Sequence, residues 1–458
     1  MAALFASRGV RCTILTTPVN AAVIRSVVDQ ANDASRGTGA PVIDISTVPF
    51  PDVGLPPGVE SVADVSSEAD ILKSLEAVRL LPEPFNRFLA EHHPDAAIVN
   101  SFYSWAAEAA AEHGIPPGRR HRQQLLFVGS RSRRRARHPA AAFPWDQHVE
   151  HYRTVLGRRV WLIGPVALAA NKVLQAASGG VGGHAPDANR CLRWLDEKPG
   201  SSVMYISFGT LAHFMAAELR EVACGLQRSG RDFLWVVTGE ETDASRWMPE
   251  GFAELVDPDE RGIIFRGWAP QRLILSHSAV GAFVTHCGWN SVLALSAGVP
   301  LVTWPRHADQ FYNEKLLVEV LKVGVGVGSG AYASKIEDRG EVISGQKIAK
   351  AIDGVMGDGE QAEEIRKKAI ELRAKAWNAI EKGGSSYDDV QQLINEYKDW
   401  CVAHRALGVE RVPISVSDAD DLLAAVVSFA AATRCDDAPA CKQLAAKARA
   451  LGKDSERN

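Results

Sequence analysis

The residues of this chain best suited to chemistry cluster between positions 268 and 310, in the stretch WAPQRLILSHSAVGAFVTHCGWNSVLALSAGVPLVTWPRHADQ. An apolar, β-branched run over 280–285 reads as a buried strand. It ends at His286, turns through Gly288 and enters a helix whose first residues are Asn290 and Ser291. A strand, a glycine turn and a helix N-terminus present free backbone N–H groups and the positive end of a helix dipole, a place suited to a diphosphate. A second apolar run over 300–304 leads into Arg306, His307, Asp309 and Gln310. In parallel α/β sheets ligands bind beyond the carboxyl ends of the strands, so both polar clusters should face one crevice. Trp268 follows a third strand, over 262–266, and offers a flat ring for a base. Singly, Trp268, Trp289 and Trp304 serve as well for core aromatics; the ordered set carries the reading.

The elements that must position these residues follow a repeating pattern. The runs VMYIS, FLWVV, GIIFR, VGAFVT, PLVTW and VGVGVG read as strands, with helical segments between most of them. Short apolar strands alternating with helices imply a parallel, doubly wound sheet. The SFGT turn at 207–210 sits at a strand end and should bring small groups and N–H donors to the same anion. VGVGVG does not satisfy GxGxxG opening a helix, so it is read as a strand running into a loop.

Upstream, residues 2–9 read as the end of an amphipathic helix with Gly9 as its C-cap. A strand over 10–16, a helix over 20–32, a strand over 42–45, a helix over 69–91, a strand over 96–100 and a helix over 104–114 continue the alternation. The pattern breaks over 116–147, where GRRHRQQLLFVGSRSRRRARH is dense in arginine without an apolar period, and is read as an irregular solvated loop rather than a nucleic-acid patch. An Ala/Gly-rich linker spans 167–187. A long charged helix over 359–382 and a last helix to about 400 follow, and a helical pattern over 418–433 lies in an extension of unassigned role.

At 458 residues the chain has room for two domains. A hydrophobic content of 46% with a net charge of -4 describes a globular protein without the basic excess of a nucleic-acid binder. No run of about 18 apolar residues suggests a membrane span, and the first residues are too short and too soon interrupted for a signal peptide. Seven cysteines without CxxC spacing argue for a reducing compartment, with cytoplasm expected, and against a disulfide framework or a zinc site. Cys435 and Cys441 are read as an incidental pair.

The stretch from Trp268 to Gln310 closely resembles the signature box of plant secondary-product UDP-glycosyltransferases. The resemblance implies a GT-B-like α/β fold of two Rossmann-type doubly wound domains, with the donor site in the C-terminal one. It implies that Trp268 stacks on uracil and Gln271, with Ala269 beside it, contacts the nucleoside. His286, Asn290 and Ser291, on the Gly288 turn, would hold the diphosphate together with Ser207, Gly209 and Thr210. Trp289, Asp309 and Gln310 would hold the sugar hydroxyls, the final Gln being associated with glucose. No cofactor or metal is implied; UDP-glucose is the co-substrate, a small apolar molecule the acceptor, and the protein a monomer.

Three departures accompany the resemblance. The box reads NSVLALSAG, one residue shorter than NSxLEAxSAG, so Ala294 stands where a ribose-binding Glu is expected. The Gly-His turn carrying the family's catalytic base is expected upstream of Met1, so no catalytic residue is identified, and Asn100 occupies the position of the Asp that polarises that base. The histidines His92, His93, His113 and His121 are read as surface residues. The expected organisation is an incomplete acceptor-side domain over 1–166, the linker, a donor domain over 188–382, a closing helix over 383–400 that crosses back onto the first domain, and the extension 401–458. FYSW, WMPEGF and WPRHADQFYNEK look closest to members acting on flavonoids, terpenoids or hormones. Inverting transfer of glucose to such an acceptor is one expectation; a catalytically impaired or inactive UDP-binding relative is the alternative.

Overall fold

A computed structural model of the chain describes residues 1–61, 65, 68–100, 103, 105–115, 117–120, 161, 163–166, 168–169, 186–209, 214–237, 244–256, 261–266, 269–288, 291, 294–306, 310–330 and 342–406. The first helix, α1 (Ala2–Ala6), closes as Gly9 requires: Gly9 N–H donates to Ala6 O at 2.9 Å and Val10 N–H to Phe5 O at 3.1 Å, with Gly9 at φ 77°. β1 (Cys12–Thr16) pairs in parallel with β2 (Ile43–Thr47) through the crossover helix α2 (Pro18–Ala34). The single helix expected over 69–91 is two, α3 (Glu68–Leu80) and α4 (Pro82–His92). Pro82 and Pro84 have no N–H for the carbonyls of Val78 and Leu80, so the ladder stops at Leu81 and restarts with proline in a first turn, where no donor is needed.

β3 (Ala97–Asn100), α5 (Trp105–Glu112) and β4 (Pro117–Arg120) follow, with β3 and β4 parallel. The expectation of irregular chain over 116–147 is corrected at 117–120. Pairing there uses backbone groups, which the polar PGRR supplies without any apolar period. Residues 121–147 lie outside the described ones.

The second half contains α6 (Pro186–Asp196), β5 (Val203–Ser207), α7 (Ala216–Ser229), β6 (Asp232–Val237), β7 (Gly262–Arg266), α8 (Gln271–Ser276), β8 (Val280–Thr285), α9 (Ala294–Ala297) and β9 (Leu301–Thr303). α10 (Gln310–Lys315) runs on as a π-helical turn over Leu316–Val320, before β10 (Gly324–Gly326), α11 (Gly345–Met356), α12 (Glu360–Ile380) and α13 (Ser385–Ala406). All six strands are parallel, in the order β10-β9-β8-β5-β6-β7. The chain leaves β5 toward β6 and β7, then returns to lay β8, β9 and β10 on its other side. That reversal opens a crevice at the carboxyl ends of β5 and β8.

Successive side chains bury on opposite faces, which is why these strands read as continuous apolar runs. Met204, Ile206, Trp235 and Val284 join the core under α7 and α11; Tyr205, Leu234, Phe283 and Leu301 join the core under α6, α8 and α12. α7 and α11 meet through glycine: a Cβ on Gly225 would lie 2.7 Å from Ile348 Cγ2, and one on Gly345 2.8 Å from Cys224 Cβ. α13 packs on α1, with Leu4 and Phe5 against Val390, Leu393 and Ile394. Arg8 Nη1 donates to Tyr387 O at 2.8 Å, its guanidinium 4.0 Å over the Tyr387 ring. The helix continues to Ala406, past the expected end near 400; Cys435, Cys441 and the pattern over 418–433 lie outside the described residues. No helix among the described residues is long and apolar enough to cross a membrane.

Candidate functional site

Two turns stand side by side at the crevice because Ser207 and Thr285 are in register on β5 and β8. Gly209, at φ 75°, closes the first turn; a Cβ there would stand 2.7 Å from His286 Cε1. A Cβ on Gly288 would collide with His286 Nε2. The imidazole therefore lies between two glycines, and a methyl group at either would displace it. Between His286 and Gly288, Cys287 is fully buried at φ 65°, a left-handed conformation unusual for a side-chain-bearing residue.

Hydrogen bonds hold that turn. Cys287 N–H donates to Thr285 Oγ1 at 3.2 Å, Cys287 O accepts from Asn313 Nδ2 at 2.8 Å, and Ser291 N–H donates to Gly288 O at 2.8 Å. Thr285 Oγ1 in turn donates to Ser291 Oγ at 2.7 Å. Ser291 thus sits in a tight turn with its hydroxyl built into the wall, 2% exposed. The helix expected to open at Asn290 and Ser291 is, among the described residues, the short α9, which begins at Ala294. Ala294 is buried in the core behind β8. Ser207 is also buried, two positions after Tyr205, whose phenol burial pushes up from its ordinary pKa.

The second polar cluster does not face the crevice as a unit. Arg306 turns inward: Nη1 lies 2.7 Å from Glu218 Oε1, and the guanidinium 4.5 Å from the Phe214 ring centroid. Its side chain is 10% exposed and that of Glu218 5%. Glu218 also accepts from Met215 N–H at 2.9 Å, so one carboxylate caps α7 and neutralises the arginine. The expectation of Arg306 in the crevice is corrected: the Phe214 ring and the buried Glu218 carboxylate hold its guanidinium inside. Trp304 is a core aromatic, edge-on to Phe208 at 5.6 Å. Gln310 is 5% exposed, and its Oε1 accepts from Arg306 N–H at 2.8 Å.

Ala269 is buried and Gln271 half-buried at the start of α8, beyond β7. Thr210, Trp268, Trp289, Asn290, His307 and Asp309 lie outside the described residues. Of the sequence-derived set, the structure brings together Ser207, Gly209, His286, Gly288 and Ser291 at the ends of β5 and β8, with Gln310 on the neighbouring β9 side. His92 and His93 are exposed at the end of α4.

The sequence reading missed Thr285, Cys287, Asn313 and Glu314. The signal for two of them was present: Gln310, Asn313 and Glu314 have the i, i+3, i+4 spacing of one helix face. Glu314 accepts from Thr303 Oγ1 at 2.8 Å, and burial, partly offset by that bond, pushes its carboxyl up to about 7. Among the described residues no group of three or more His, Cys, Asp and Glu could hold a metal ion.

An imidazole seated between two glycine turns lies at the point where a parallel sheet reverses its strand order, the place where doubly wound α/β domains bind their ligands. Residues 150–334 match the family described as UDP-glucoronosyl and UDP-glucosyl transferase. An anthocyanin 3'-O-beta-glucosyltransferase of Gentiana triflora is 36% identical, covering 87% of this chain and 95% of that protein. A scopoletin glucosyltransferase of Nicotiana tabacum is 36% identical over 86% of this chain and 94% of its own length. The crystal structure of Glycyrrhiza uralensis UGT73P12, complexed with glycyrrhetinic acid 3-O-monoglucuronide, superimposes with a TM-score of 0.76 at 33% identity, covering 88% of this chain and 93% of that one. The chain belongs to this family, as a plant UDP-glycosyltransferase with the GT-B-like fold of its relatives.

Proposed function

We propose that the chain transfers glucose from UDP-glucose to a hydroxyl of a small apolar acceptor, of the flavonoid, coumarin or terpenoid type, with inversion at the anomeric carbon. The observation that carries this reading is the His286 imidazole lodged between Gly209 and Gly288 at the β5/β8 switch point. An imidazole N–H and turn N–H groups suit a departing diphosphate, whose charge they stabilise as the glycosidic bond breaks. The acceptor oxygen attacks as a general base removes its proton, and UDP leaves on the opposite face.

In this reading residues 188–382 bind the donor, with Trp268 and Gln271 on the nucleoside, Asn290 and Ser291 on the diphosphate, and Trp289, Asp309 and Gln310 on the sugar. Residues 1–166 serve the acceptor side. Names of relatives that act on an anthocyanin and on scopoletin support the acceptor class. We also take the chain to be a cytoplasmic monomer; the dispersed cysteines without CxxC spacing suit a reducing compartment. The second reading, a UDP-binding relative without turnover, has no support from these relatives.

The test is incubation of the purified chain with UDP-glucose and a panel of phenolic and triterpenoid alcohols, following glucoside and UDP together. Glucoside formation is expected, with kcat lowered about 10²–10³-fold in His286→Ala, the scale for losing one stabilising donor. Folded protein that forms no glucoside and releases no UDP overturns the reading.

A further inference from the structure

α10 presents Gln310, Asn313 and Glu314 on one face, and each is bonded to a different neighbouring segment. Gln310 Oε1 accepts from Arg306 N–H after β9, Glu314 accepts from the Thr303 hydroxyl within β9, and Asn313 Nδ2 donates to the Cys287 carbonyl beyond β8, each at 2.8 Å. Asn313 and Cys287 are both fully buried, so water does not compete for the bond between them. Cys287 keeps its left-handed φ only while its surroundings enforce it. Thr285 holds its N–H and Asn313 its carbonyl. In a trans peptide the carbonyl of one residue and the N–H of the next point in opposite directions. A Cys287 carbonyl drawn toward α10 therefore turns the Gly288 N–H away from α10.

We propose that Asn313 is a positioning residue of the donor site, which by fixing the Cys287 carbonyl aims the Gly288 N–H, beside His286, at the diphosphate of the UDP-sugar. The proposal rests on the reading of this crevice as the UDP-sugar site. Gln310 belongs to the sugar end of that site by its place in the box, whereas Asn313 acts through the turn and touches no substrate.

The test is titration of UDP into wild-type protein, Asn313→Asp and Asn313→Ala. An ionised Asp has nearly the same shape but cannot donate to a carbonyl. Both variants are expected to bind UDP about tenfold more weakly, as for loss of a hydrogen bond to a charged group, with KM for UDP-glucose raised and KM for the acceptor unchanged. Thr303→Val, which cuts a neighbouring bond of the same helix, is the structural comparison: a lower Tm with wild-type UDP affinity. Wild-type affinity in both Asn313 variants overturns the positioning role and leaves the site reading intact. No UDP binding by wild type overturns both.

Should the variants not fold, the wild type decides. Cys–Gly peptides occur only at 224–225 and 287–288, so 13C′-cysteine with 15N-glycine labelling leaves two amide signals, Gly225 and Gly288. UDP is expected to move the Gly288 signal and leave Gly225 in place. A Gly288 signal unmoved at saturating UDP overturns the proposal.

Discussion

At the scale of single residues, the site depends on what is missing as much as on what is present. Gly209 and Gly288 supply no Cβ, and His286 occupies the space they leave. Behind the site, Glu314 is a buried carboxyl raised from 4.5 to about 7. Because the folded chain binds that proton more tightly than the unfolded one, stability is fully present below about pH 4.5 and falls as pH rises toward 7, by about 3 kcal/mol. Glu314→Gln keeps an acceptor for Thr303 and removes the charge. Thermal melts should show it stabilising at pH 8 and neutral at pH 4.5; an equal shift at both would mean Glu314 does not titrate in this window. His286 and Gly288 were legible from the sequence, because a strand, a polar residue and a glycine in succession leave few local conformations. The bond between Thr285 and Ser291 was not, since it spans a turn whose shape depends on Cys287.

At the scale of elements, the six strands of the second half were legible because burial on both faces leaves no polar alternation to blur the runs. The break between α3 and α4 was written in Pro82 and Pro84, which a long apolar periodicity obscured. Arg306 shows the opposite limit. Its partner Glu218 lies 88 positions away on α7, and only the fold brings them together. This pair ties the start of α7 to the chain leaving β9. Arg306→Ala leaves Glu218 charged and buried, and should lower stability by about 3–5 kcal/mol in urea melts. Arg306→Met with Glu218→Gln should cost clearly less. Equal losses in the single and double variants would mean that packing, not the unpaired charge, sets the cost.

At the scale of the whole molecule, alternating strands and helices announced a doubly wound sheet, but the order β10-β9-β8-β5-β6-β7 is a tertiary result. That order places His286 opposite Gly209 although 77 positions separate them in the chain. α13 returning to α1, through Phe5, Ile394 and the Arg8–Tyr387 contact, joins the two ends of the described chain by packing that no local pattern specifies. The central claim is that the β5/β8 crevice binds the UDP end of a nucleotide sugar. Calorimetric titration of UDP into the wild type and Gly209→Ala tests it most directly. One saturable site in the wild type, weakened about tenfold or more when a methyl group meets His286, is the expected result. Folded wild-type protein that takes up no UDP, or a Gly209→Ala variant that binds it equally well, would contradict the claim.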